Sequence, residues 1–144
     1  MLIVTAFMAI VLALGLLVGP PASPPPEVGG MIGVAPPPAW IEYGGRSRWL
    51  AYGSYCWRTA CVDMLPPQSQ PDLPRFKVTP GQTLRVHLAF KPTMASVQVL
   101  RAGRGVKLPS TGRRMLSFRA RRGILIVGAS GPRGSANYIA RLVV

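Results

Sequence analysis

The sequence predicts an all-β protein: an antiparallel β-sandwich of about seven short strands, behind a hydrophobic N-terminal helix and a proline-rich linker. Three observations carry this. From Ala39 onward the apolar period is two, shown best where Leu84, Val86, Leu88 and Phe90 alternate with Arg85, His87, Ala89 and Lys91, the pattern of a half-buried strand. Turn signals recur at short intervals, from Thr79-Pro80-Gly81-Gln82 to Ser130-Gly131-Pro132-Arg133-Gly134. No stretch after residue 38 has the period of a helix. A small β-barrel would give the same strings, so periodicity leaves both closures open.

Residues 1–19 form the first segment. Leu2 to Val18 carries no charge, and only Thr5 is polar. As a helix it spans roughly 26 Å, at the lower limit for a bilayer core. It is a signal peptide or a membrane anchor, and both readings stand. No Lys or Arg precedes it and the first basic residue after it is Arg46, so charge asymmetry is silent on orientation. Gly19 is followed by Pro20, which makes a poor cleavage site.

Residues 20–38 form the linker. Eight of the chain's 16 prolines fall here, in Pro20-Pro21-Ala22-Ser23-Pro24-Pro25-Pro26 and Ala35-Pro36-Pro37-Pro38. Such runs favour polyproline II and would extend at most ~60 Å. The simplest role is a spacer between membrane and domain. A docking site for an SH3-like partner is the sharper alternative.

Residues 39–144 form the sandwich. Beyond the strand at Leu84–Phe90, candidates are Phe76–Thr79, Ala95–Ala102, Val106–Leu108, Met115–Arg121, Ile124–Ala129 and Ala136–Val144. The last two, joined by the Ser130–Gly134 loop, form a hairpin. The aromatic block before them holds Trp40, Tyr43, Trp49, Tyr52, Tyr55 and Trp57. Most of these belong in the core, because a sandwich interior needs bulk. The alternative is an exposed platform of Trp49, Tyr52, Tyr55 and Trp57 for sugars or peptides.

Cys56 and Cys61 are the chain's two cysteines. Oxidised, they close a small loop worth roughly 2 kcal/mol in the chain-entropy model. Cysteines this close in an exported domain pair, and Trp57 beside them would cover the sulfur. Zinc would need further ligands, with only His87 and scattered carboxylates on offer, so no metal is expected. The spacing is not Cys-x-x-Cys, which argues against a redox pair. No cofactor is expected.

Gly53-Ser54-Tyr55-Cys56-Trp57 followed by Cys61-Val62-Asp63, with the Pro80-Gly81 turn, the Lys91-Pro92 step and the C-terminal Gly134-Ser135-Ala136-Asn137-Tyr138 strand, resembles an uncharacterised family of exported bacterial proteins. The family occurs mainly in Gram-positive bacteria, often as lipoproteins. The resemblance covers about residues 49–144 and implies an immunoglobulin-like sandwich outside the cytoplasm, with no activity attached. This chain lacks the lipid-bearing cysteine.

Catalytic chemistry has little to draw on. The one histidine, His87, falls on the solvent side of its strand, and Glu42, Asp63 and Asp72 have no spacing that suggests a paired-acid site. Asp63 is expected to accept backbone hydrogen bonds in its turn. Gly128, Gly131 and Gly134 are interrupted by proline and precede no helix, unlike a phosphate loop.

Charge is more informative. Fourteen Arg and three Lys all lie after residue 38, against Glu42, Asp63 and Asp72. Such an excess attracts anionic polymers or membrane surfaces, although an even spread of Arg also fits codon bias. The densest cluster, Arg113, Arg114, Arg119, Arg121 and Arg122, is the candidate anion-binding set. The chain is thus expected to be a non-enzymatic module, secreted or membrane-anchored outside the cytoplasm. Its membrane contact would be the N-terminal segment, and its partner an anionic envelope polymer, lipid headgroups or another surface protein. A nucleic-acid binder is the remaining alternative, coloured by Arg104-Gly105 and Arg121-Arg122-Gly123.

Overall fold

The computed structural model describes residues 18–27 and 35–144. The apolar run up to Leu17 lies outside the described residues, and so does the expected N-terminal helix. Among the described residues no helix is long and apolar enough to cross a membrane. Eleven strands form: β1 Ala39–Tyr43, β2 Arg46–Trp49, β3 Ala51–Trp57, β4 Ala60–Val62, β5 Arg75–Lys77, β6 Thr83–Leu88, β7 Met94–Arg101, β8 Arg104–Leu108, β9 Met115–Arg119, β10 Gly123–Gly131 and β11 Gly134–Val143.

They make two sheets, which answers the sandwich-or-barrel question in favour of the sandwich. Sheet A has the order β2-β1-β6-β9, and sheet B the order β4-β3-β11-β10-β7-β8 with β5 added beside β11. All pairings are antiparallel except β5 with β11. The first half of β11 pairs with β3 and the last part, Arg141–Val143, with β5. A register shift between Ala136 and Tyr138 falls within the part paired to β3, where a bulge raises the local twist.

The strand number exceeds the expected seven. All seven segments read from the sequence become strands, β5 to β11. Of the additional four, β1 to β3 come from the aromatic block and β4 follows it. There the alternation is blurred, because Trp40 and Trp49 point out while Tyr52, Tyr55 and Trp57 point in. The edge strands β2 and β4 also bury no residue fully, and an edge strand has no sharp pattern to show.

The core lies between the sheets. Ile41, Leu84, Val86, Leu116 and Phe118 of sheet A meet Phe76, Val97, Val99, Leu125, Val127, Tyr138 and Leu142 of sheet B, all at 4% exposure or less. Each side chain of this kind stabilises by about 1.5–3 kcal/mol on burial. A second, smaller cluster of Leu73, Ile124 and Ile139 sits on the other face of sheet B, under the segment joining β4 to β5. That segment carries a short 3₁₀ turn, Pro67–Ser69.

The β10–β11 hairpin closes as expected, with Gly131 paired to Gly134. Gly134 has φ +141°, and a Cβ there would fall 2.1 Å from the Cys56 carbonyl oxygen, so only glycine lets β11 lie against β3. Gly128 is mid-strand, and Gly131 and Gly134 close the hairpin.

The proline-rich segment is tied to the domain. Tyr52 donates its hydroxyl to the Pro36 carbonyl at 2.8 Å, and Tyr138 to the Pro37 carbonyl at 2.6 Å. Ala35 packs against the core. Prolines have no N–H, and their carbonyls accept what buried tyrosines must donate. Burial, and then the neighbouring Tyr55, push the Tyr52 phenol up to about 12. Burial, with a smaller effect of Tyr52, pushes Tyr138 higher still.

Candidate anion-binding site

The cysteines pair as expected. Cys56 and Cys61 face each other across β3 and β4 and are disulfide-bonded, with Cα atoms 4.0 Å apart. Both are exposed, whereas Trp57 is buried and tilts against Phe90 at 5.0 Å. Trp57 is therefore core, but it does not cover the sulfur: adjacent residues on a strand point to opposite faces. Asp63 also differs from expectation. It accepts the Ser54 hydroxyl at 3.0 Å, and the Ser54 oxygen takes the backbone N–H of Met64 at 2.9 Å.

The platform reading fails for three of its four residues, because Tyr52, Tyr55 and Trp57 are 4–7% exposed. Trp49 stays half-buried on the outer face of sheet A, opposite Trp40. His87 lies on that face too, but it is not a free surface histidine. Its ring stacks on Trp40 at 3.7 Å with 5° between planes, and its Nε2 lies 3.1 Å from Glu42 Oε2. Glu42 also pairs with Arg85 at 3.4 Å. The ring's hydrogen bond is to a carboxylate.

The five candidate arginines do not form one patch. Arg113 and Arg114 precede β9, while Arg121 and Arg122 follow it, so the strand separates them by roughly 16 Å. Arg119 donates to the Gly81 carbonyl and the Thr83 hydroxyl, which commits it to sheet A. What remains is two separate pairs, Arg113-Arg114 and Arg121-Arg122.

A different set converges instead. Arg101 at the end of β7, Arg122 after β9 and Arg141 in β11 line one cleft of about 320 Å³, with Leu100 and Ile124 behind and Gln68 from the β4–β5 segment at the rim. Arg141 is half-buried, while Arg101 and Arg122 are exposed. The β7–β8 turn positions Arg101 by running Ala102 and Gly103 through positive φ, +50° and +73°, the geometry of a tight two-residue hairpin. Arg121 lies next door, with Arg122 and Arg101 in a smaller hollow beside Val99 and Val106.

None of these arginines has an ion-pair partner among the described residues; the ion pairs there are those of Glu42. Three guanidiniums around a depression with an apolar wall repel one another until an anion joins them, and their planar forks match phosphate and carboxylate oxygens. Sequence reasoning found Arg122 but missed Arg101 and Arg141. Each is isolated in the sequence, and only sheet order brings them together.

Among the described residues no group of His, Cys, Asp and Glu is placed to hold a metal ion. Compared with family models, curated proteins and solved structures, the chain matches none.

Proposed function

We propose that this chain is a non-enzymatic, extracytoplasmic binding module that holds anionic groups of an envelope polymer or lipid headgroup. One observation carries the reading: Arg101, Arg122 and Arg141 share a cleft without a counter-charge among the described residues. Its location is supported by the Cys56–Cys61 disulfide, since such bonds persist in oxidising compartments. The apolar Leu2–Val18 run and the resemblance of the Gly53–Asp63 block to exported bacterial proteins point the same way. The non-enzymatic reading draws on the sequence, which offers one histidine and four carboxylates with no spacing of a catalytic set; His87 is engaged by Trp40 and Glu42.

The test is retention of the purified chain on immobilised poly(glycerol phosphate) across a salt gradient. Retention should fall steeply with ionic strength, because exposed charges are screened beyond a Debye length of about 8 Å at physiological salt. The variant Arg101→Gln/Arg122→Gln/Arg141→Gln should elute early, and Arg113→Gln/Arg114→Gln near the parent. Equal loss in both variants would reduce the cleft to general charge. Turnover of an envelope substrate that depends on His87 would overturn the non-enzymatic reading.

A further inference from the structure

The outer face of sheet A already has an occupant. Trp49 donates its indole N–H to the backbone carbonyl of Ser23, at 2.8 Å and 26 residues away. Ser23 lies inside the run Pro20-Pro21-Ala22-Ser23-Pro24-Pro25-Pro26. This segment forms no strand or helix, and Pro21 and Pro26 are half-buried while Ala22 to Pro25 are exposed. Its bond to Trp49 seats it against the domain.

The chemistry of both sides fits. A polyproline II chain makes no internal hydrogen bonds, so its carbonyls seek outside donors. Aromatic-lined grooves recognise such chains because the conformation is preformed and binding costs little entropy. Sheet A presents a row of this kind. Trp49 stands opposite Trp40 across β1 and β2, and Trp40 stands opposite His87 across β1 and β6. The Trp40 ring is fixed by its stack on His87, and His87 by Glu42.

We propose that the Trp40–Trp49 face of sheet A is a binding site for a proline-rich peptide, filled in cis by Pro20–Glu27. The linker is then a ligand of its own domain. Pro36 and Pro37 anchor one end through Tyr52 and Tyr138, and Trp49 holds the other. Tethering keeps the segment at an effective concentration on the order of millimolar, so a weak site stays occupied.

The experiment uses the full chain in detergent micelles and follows hydrogen exchange at the Trp49 indole N–H by NMR. In the parent this proton should exchange at least about tenfold more slowly than in a variant with Pro21, Pro24, Pro25 and Pro26 changed to Gly, a ratio that corresponds to about 1.4 kcal/mol. Those changes lie outside the sandwich and leave its fold intact. The synthetic peptide Pro20–Glu27, added up to millimolar concentration, should shift the Trp49 indole signal of the glycine variant saturably. It should shift the parent little, because the site is filled. Trp49→Phe in the glycine variant, followed at the Trp40 indole signal across β1 and β2, should abolish the saturable shift. Equal exchange in parent and glycine variant, or a glycine variant blind to the peptide, overturns the proposal. Concentration-dependent protection in the parent would also overturn it, by showing that the segment comes from a second copy.

Discussion

The outer face of sheet A and the rim of sheet B both carry arginines and treat them in opposite ways. On sheet A, Glu42 sits in register with Arg85 and binds both Arg85 and His87. Arg119 is spent on the Gly81 carbonyl and Thr83, and Trp49 in the aromatic row donates to the Ser23 carbonyl of the proline-rich segment. At the rim of sheet B, Arg101, Arg122 and Arg141 surround a cleft with no carboxylate. The lesson is that net charge does not locate a site. One well-placed glutamate turns a basic face into a structural one, and the proposed anion site lies where no such partner is among the described residues.

The largest disruption should come from below the sheet B rim. Ile139 is fully buried in the small cluster under the β4–β5 segment, so Ile139→Ala should cost about 2–4 kcal/mol in chemical denaturation. Sheet A's proline contact, read at the Trp49 indole, should persist in the folded fraction. Next comes the disulfide. Cys56→Ser/Cys61→Ser should cost roughly 2 kcal/mol and leave retention on anionic polymer unchanged, since Cys56 stands opposite Ser135, roughly 20 Å along β11 from Arg141.

A smaller effect should mark the proline strap as part of the core. Tyr52→Phe removes the donor to Pro36 and should cost about 1 kcal/mol at neutral pH. The same residue shapes the alkaline limit. Its phenol ionises near 10 in an unfolded chain and about 12 in the fold, so the unfolded state gives up its proton first. Stability present below pH 10 is then lost as pH climbs from 10 to 12. Thermal melts across that window should show a shallower decline in Tyr52→Phe. The least change in stability, under about 1 kcal/mol, is expected for Glu42→Gln. That variant is the most pointed test of the contrast between faces. Freed of Glu42, Arg85 should let sheet A add to retention on anionic polymer at low salt; unchanged retention would mean that the carboxylate is not what silences this face.

Much of the fold was legible in the sequence because strand alternation and turn chemistry are local. Leu84–Phe90 with Thr79–Gln82 before it, and the hairpin at Ser130–Gly134, needed no knowledge of partners. The disulfide was legible for the same reason, since its two cysteines sit in one hairpin. Strands β1 to β4 were not, because the aromatic rings divide between both faces and two of the four are edges.

The sequence by itself determined the class of fold, the cysteine pair, the arginine excess and the presence of a proline-rich segment. Tertiary structure alone decided which arginines meet, which one Glu42 neutralises, and where the prolines lie. The physical reason is range. A side chain's face follows from its own strand with period two, but its neighbours across the sheet follow from register and strand order. Arg114 and Arg121 are seven residues apart yet stand at opposite ends of β9, whereas Arg101 and Arg141, forty residues apart, line one cleft.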